Sequence, residues 1–150
     1  MAMNNWFQTN VKYEKTLENG TQARVTEAYL VSAMSFTEAE ARTIEEMAPF
    51  IVGDFEVSAA KKMNISELFL DPTGDKWYIA KVMFITLDEK SGAEKRTASR
   101  MLIQANDFQS AVKNLEAGMK GTMVDWEIHT IQESKIVDVF DEKSETETPS

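Results

Sequence analysis

The sequence predicts an α+β fold in which one ββαβ(β) unit is written twice in tandem. Three observations carry that expectation. Uncommon residues recur in the same order along the chain, alternating apolar runs mark strands, and each copy holds one capped amphipathic segment. Trp6 falls on Trp77, Phe7 on Tyr78, Val11 on Val82 and Tyr13 on Phe84. After a one-residue insertion at a turn, Gly20 falls on Gly92, Leu30 on Leu102, Phe36 on Phe108 and Met47 on Met119. The insertion is then reversed, so that Asp54 falls on Asp125, Phe55 on Trp126, Ile65 on Ile136 and Phe69 on Phe140.

Residues 6–17 alternate, with Phe7, Val11 and Tyr13 on one side and Gln8, Asn10, Lys12 and Glu14 on the other. Such alternation is a half-buried strand. Glu18-Asn19-Gly20 is a turn signal, and 21–31 returns as the second arm of a hairpin. Ser35-Phe36-Thr37-Glu38 reads as a capping box. The helix that follows has Phe36, Ala39, Thr43, Ile44 and Met47 along one stripe, and Pro49 ends it. Phe55, Val57 and Ala59 alternate in a third strand, and 65–70 is expected as a short fourth, at the edge.

The second copy repeats the plan, with strands over about 76–87, 94–104 and 124–133. Its helix is capped by Asp107 and striped by Phe108, Ala111, Val112, Leu115 and Met119, and a last short strand covers 136–140. These readings give one compact domain over 5–140, made of repeats 5–70 and 75–140. Antiparallel sheets are expected, with both helices on one side and a pseudo-twofold between the copies. The tail, 141–150, has no apolar residue and is expected to be disordered and solvated.

Composition narrows the function classes. At 150 residues and 43% hydrophobic, the chain can bury a core. It has no cysteine, which excludes disulfides and thiol chemistry and favours the cytoplasm. The opening residues carry neither a basic region nor an apolar run, so no signal peptide is expected, and no run is long enough for a membrane helix. The net charge of −9 argues against a general nucleic-acid or anionic-membrane binder.

Candidate sites are few. His129 is the sole histidine, and neither a Gly-x-Ser-x-Gly elbow nor a phosphate-binding glycine loop occurs. No cofactor is expected. Asp125, Glu127 and His129 lie at i, i+2 and i+4 of one strand, a donor set for a divalent ion; the plainer reading is a solvated face opposite Trp126 and Ile128. Lys90, Lys95, Arg96 and Arg100 form a basic run that could touch phosphates, with Asp88, Glu89 and Glu94 interleaved.

Trp6 and Trp77 open matching strands and are candidate partner contacts, or covers for the sheet ends. Ile79, Met83 and Ile85 make the strand 77–87 apolar on both faces, where the first copy has Gln8, Lys12 and Glu14. Such a strand is covered by the other half, used as a homodimer contact, or left as an open ligand surface. The leading expectation is a non-catalytic intracellular binding or adaptor protein with an unknown protein partner or a second copy of itself. The alternatives are a nucleic-acid accessory protein and a metal-assisted enzyme.

Several runs carry a family resemblance: Asn5-Trp6-Phe7, Val11-Lys12-Tyr13-Glu14-Lys15-Thr16, Ser35-Phe36-Thr37-Glu38-Ala39-Glu40-Ala41-Arg42, the stretch from Phe84 to Lys95, and Gly118-Met119-Lys120-Gly121-Thr122-Met123. Together they resemble an uncharacterised family of Bacteroides and its relatives, domain of unknown function 4494. The resemblance covers nearly all of 5–140. It implies a bacterial, intracellular protein and supplies no functional residues.

Overall fold

The structure is a computed structural model and describes residues 5–141. The expected acidic tail therefore lies outside the described residues, apart from Asp141.

β1 (Asn5–Thr16) and β2 (Gln22–Ala33) pair antiparallel from Asn5↔Ala33 to Thr16↔Gln22. Gly20 makes the turn with φ of +88°, a left-handed conformation that a side chain would strain. α1 (Phe36–Met47) begins at Ser35, whose hydroxyl accepts from the Glu38 N–H at 3.1 Å. Glu38 reaches back as expected, but to the N–H of Met34 at 2.7 Å, one residue before the cap. A 3-10 turn over Ala48–Phe50 follows, with Pro49 inside it. β3 (Phe55–Met63) then pairs antiparallel with β1.

β4 (Glu67–Phe69) is followed by β5 (Lys76–Leu87) and β6 (Glu94–Ala105), which pair antiparallel from Lys76↔Ala105 to Leu87↔Glu94. α2 (Phe108–Gly118) is capped by Asp107, which accepts from the Ser110 N–H at 2.8 Å. β7 (Asp125–Glu133) pairs antiparallel with β5, and β8 (Ile136–Phe140) ends the described chain.

The described chain forms two compact units, one of residues 5–64 together with 135–141, the other Ile65–Ser134. The first holds a sheet of order β3-β1-β2-β8, the second one of order β4-β6-β5-β7. β8 runs parallel to β2, and β4 parallel to β6. This corrects two expectations. The sheets are mixed rather than antiparallel, and segment 65–70 supplies its strand to the second unit, while 136–140 supplies one to the first. The physical reason lies at β2 and β6. Each would otherwise end its sheet as an unpaired row of N–H and C=O groups. A parallel neighbour cannot be supplied by a tight hairpin.

Ala28–Ala33 of β2, flanked by that added strand, is buried at every position, and so are Met101, Leu102 and Ile103 of β6. Continuous burial on both faces was expected of β5 instead. There Ile79, Met83 and Ile85 are half-buried.

Each helix packs on one face of its own sheet. Ala39 meets Phe7, Val31 and Ala33, while Met47 meets Val11, Tyr29 and Ile51. Ala111, Leu115 and Met119 pack with Tyr78, Ala80, Val82 and Met101. Phe36 and Phe108, expected in the core, are 54% and 53% exposed. Both are the first residue of a helix, where the side chain points back toward the N-terminus and keeps one side in solvent, although the Phe36 ring still meets Phe7 of β1 edge-on at 4.9 Å between centroids. Ile44 is also exposed, and Tyr13, Phe55, Val57, Phe84, Trp126 and Ile128 are half-buried.

In each unit a polar helix side chain ties the parallel strand down. Arg42 of α1 donates to the carbonyls of Ser32 at 3.1 Å and Asp141 at 2.6 Å. Asn114 of α2 donates to the Gln104 carbonyl and the Asp71 carboxylate, both at 2.9 Å. Phe69 of β4 lies where a Cβ on Gly118 would fall, 2.5 Å away, so glycine lets that ring seat on the helix.

Candidate interaction surface

The loop after α1 is anchored at both ends and apolar on its outside. Met47 is buried at the end of α1, and Ile51 is tucked against Val11, Tyr29 and Met47. Ile51 is extended, with φ of −115° and ψ of 125°. Neighbouring side chains alternate sides in extended backbone, so seating Ile51 inward turns Phe50 and Val52 outward. They are 78% and 98% exposed. Gly53, at φ of +93°, then turns the chain toward β3.

Phe50 is a shared wall of two open hollows. One, of about 480 Å³, is lined by residues including Tyr13, Lys15, Gln22, Ile51 and Val52. The other, of about 460 Å³, runs along α1 past Ala41, Glu38, Glu45, Glu46 and Pro49. Arg42 lines it too, so along α1 three carboxylates and one guanidinium stand beside Pro49 and Phe50.

Tyr13 and Lys15, which line the first hollow, belong to a polar cluster. The hydroxyls of Tyr13 and Tyr29 both donate to Oε1 of Glu27 at 3.0 Å, and Lys15 stands 3.6 Å from its Oε2. Burial, then the Glu27 carboxylate, pushes both phenols above the ordinary tyrosine range. They therefore stay neutral donors that brace the hairpin beside the loop. In the second unit the loop after α2 also exposes an apolar side chain, Met123, at 94%.

The residues singled out in the sequence fare unequally. Trp6 is half-buried, opposite Ser32 and Met63. Trp77 is 4% exposed and its carbonyl accepts from the Ser134 N–H, so it is a packed residue and not an exposed anchor. Ile79, Met83 and Ile85 do share one face of β5 with Trp77 and Lys81.

The basic run is divided. Lys90 sits in the turn, where its N–H donates to Asp88. Lys95 falls on the opposite side of β6 from Arg96 and Arg100. Arg96 is held by Glu94 at 3.4 Å and by Glu127.

The metal set is not assembled. β7 is bulged, with Val82↔Ile128 followed by Lys81↔Thr130, so His129 has no residue opposite it and the alternation that underlay the spacing is interrupted. Glu127 is engaged by Arg96. Among the described residues no group of three or more His, Cys, Asp or Glu side chains stands ready to hold a metal ion. β3 carries a bulge at the matching place, Ser58.

Phe50, Val52 and Met123 were not anticipated. The signal was present as Phe50-Ile51-Val52, an apolar run between Pro49 and Gly53 where a connection is ordinarily polar. Among the described residues no helix is long and apolar enough to cross a membrane.

Two comparisons bear on identity. A family model described as a domain of unknown function, DUF4494, matches residues 5–143. No curated protein matches the chain.

Proposed function

The chain belongs to the DUF4494 family, and from that premise we propose that it is a non-catalytic binding or adaptor protein whose partner seats on the loop carrying Phe50 and Val52. The observation that carries this reading is the exposure of those two side chains on a loop pinned by buried Ile51 and turned at Gly53. Burying a side chain of this size is worth ~1.5–3 kcal/mol. A loop that is already ordered also loses little entropy on binding. The partner is a protein with an apolar pocket and basic residues near it, to match Phe50 and the carboxylates of Glu38, Glu45 and Glu46.

The same proposal treats the two units as copies of one ββαβ(β) module, with the pseudo-twofold part of it. Matching strand order, matching side-chain caps at Ser35 and Asp107, and bulges at Ser58 and His129 support that reading. It also places the protein in the cytoplasm, in keeping with a chain free of cysteine.

The experiment compares wild type with Phe50→Ser/Val52→Ser as bait, alongside light scattering. A partner retained by wild type and lost by the double variant supports the reading. Self-association lost in the same way makes a second copy the partner. Monomeric proteins that retain identical sets, or none, end it.

A further inference from the structure

We propose that the face of the second sheet turned away from α2 holds a phosphate-binding site made by Lys81 and Arg100, with Thr130 beside them. Lys81 stands directly opposite Arg100 on β6 and opposite Thr130 on β7. Residues so paired project from the same face with Cβ atoms ~4.5–5.5 Å apart, and like charges there repel. Lys81 alternates with Ala80 and Val82, which face the core cluster under α2, so its side chain leaves from the other side.

Two other strand cations are relieved by carboxylates. Lys15 has Glu27, and Arg96 has Glu94 and Glu127. Among the described residues no ion pair includes Lys81 or Arg100. On this face the nearest acid by register is Glu127, opposite Met83, and Arg96 already binds it; Glu67 pairs with Met101, whose side chain belongs to the core on the other face.

The surroundings strengthen the field. Lys81 is half-buried, with half-buried Ile79 and Met83 on either side along β5. Arg100 is followed on the same face by fully buried Leu102. Apolar flanks lower the local dielectric and raise the attraction for an anion. Beside Thr130, the bulge frees His129 from strand pairing.

A phosphate group fits this set. The guanidinium offers a fork of donors, the ammonium a point charge and Thr130 a hydroxyl, and together they meet an oxyanion of charge near −2. In a chain of net charge −9 this is a local exception, so it predicts a defined site and not general attraction to polyanions. The first unit has no equivalent, because Asn10 faces Ala28 there.

The test titrates inorganic phosphate, pyrophosphate and a short oligothymidylate into the full chain at constant ionic strength, following amide shifts of 80–82, 99–101 and 129–131. Wild type should show saturable shifts centred there. Lys81→Met and Arg100→Met should each weaken binding by roughly tenfold or more, the loss of a charged hydrogen bond. Lys90→Met should leave it unchanged. Saturation by the small anions alone identifies free phosphate groups as the ligand. Tighter oligothymidylate binding with the same dependence on Lys81 identifies a nucleic-acid backbone. Absence of saturable shifts in wild type, or equal loss in the Lys90 variant, overturns the site even where another variant fails to fold.

Discussion

The two units share a strand order yet differ where helix meets sheet. In the first, Thr9 of β1 and Thr43 of α1 are fully buried with their hydroxyls 2.8 Å apart, and Thr43 donates to the Ala39 carbonyl at 2.8 Å. In the second, the aligned residues are Ala80 and Leu115, equally buried. Likewise Tyr13, Glu27 and Tyr29 form a hydrogen-bonded cluster where the second unit has Phe84, Ser99 and Met101. The same backbone plan therefore accepts a polar or an apolar contact, provided every buried polar atom is satisfied. Among the described residues no buried side-chain nitrogen or oxygen lacks a partner.

That contrast can be broken most severely at Leu115. Leu115→Ala should cost ~2–5 kcal/mol in urea denaturation, because a fully buried isopropyl group is replaced by a cavity. Next, Thr43→Val should cost about 1–3 kcal/mol by stranding the Thr9 hydroxyl in the core. Installing the second unit's pair, Thr9→Ala with Thr43→Leu, should cost less than Thr43→Leu alone. Simple additivity of the two changes would show that the hydroxyls are not coupled.

An effect of similar size but only local reach separates the two ties. Arg42→Met should destabilise by about 1.5–3 kcal/mol locally and speed amide exchange at Val139 and Phe140, leaving Leu68 and Phe69 protected. Asn114→Ala should do the reverse. Equal acceleration in both strands with either variant would contradict separate anchoring.

The smallest effects come with pH and divide the units by direction. Asp71 is held below the ordinary carboxylate range by the Thr73 hydroxyl and then the Asn114 amide, and Asp107 by the Ser110 backbone N–H. Their contribution is complete above about pH 3.9 and is lost as pH falls through their lowered values. Tyr13 and Tyr29 are raised, so their contribution is complete below about pH 10 and is lost as pH climbs through their raised values. Amide exchange should thus loosen the second unit first in acid and the first unit first in alkali. Tyr29→Phe should flatten only the alkaline limb.

The order of strands and helices, the capping residues Ser35 and Asp107, and the turn glycines Gly20 and Gly92 were legible because each acts through its immediate neighbours. The placement of β4 and β8 was not. Ile65 aligns with Ile136 whichever sheet receives the strand, and backbone hydrogen bonds carry no residue code for the partner. The bulges at Ser58 and His129 were also hidden, since alternation is read as unbroken until a register shift is seen. That gap is why the Asp125, Glu127 and His129 set looked like one row. Trp77 misled for a related reason: its exposure depends on what surrounds β5 and not on its own strand. Phe50 and Val52 stand in the sequence as an apolar run, but a connection between elements has no periodicity from which outward-facing side chains can be read.

The most direct measurement places a photoreactive benzophenone side chain at position 52, with Glu40 as the control position on the solvent side of α1. Irradiation in cells should yield one dominant adduct from position 52, lost when Phe50 is also changed to serine, and none from position 40. Equal labelling from both positions, or none from position 52, would contradict a partner seated on this loop.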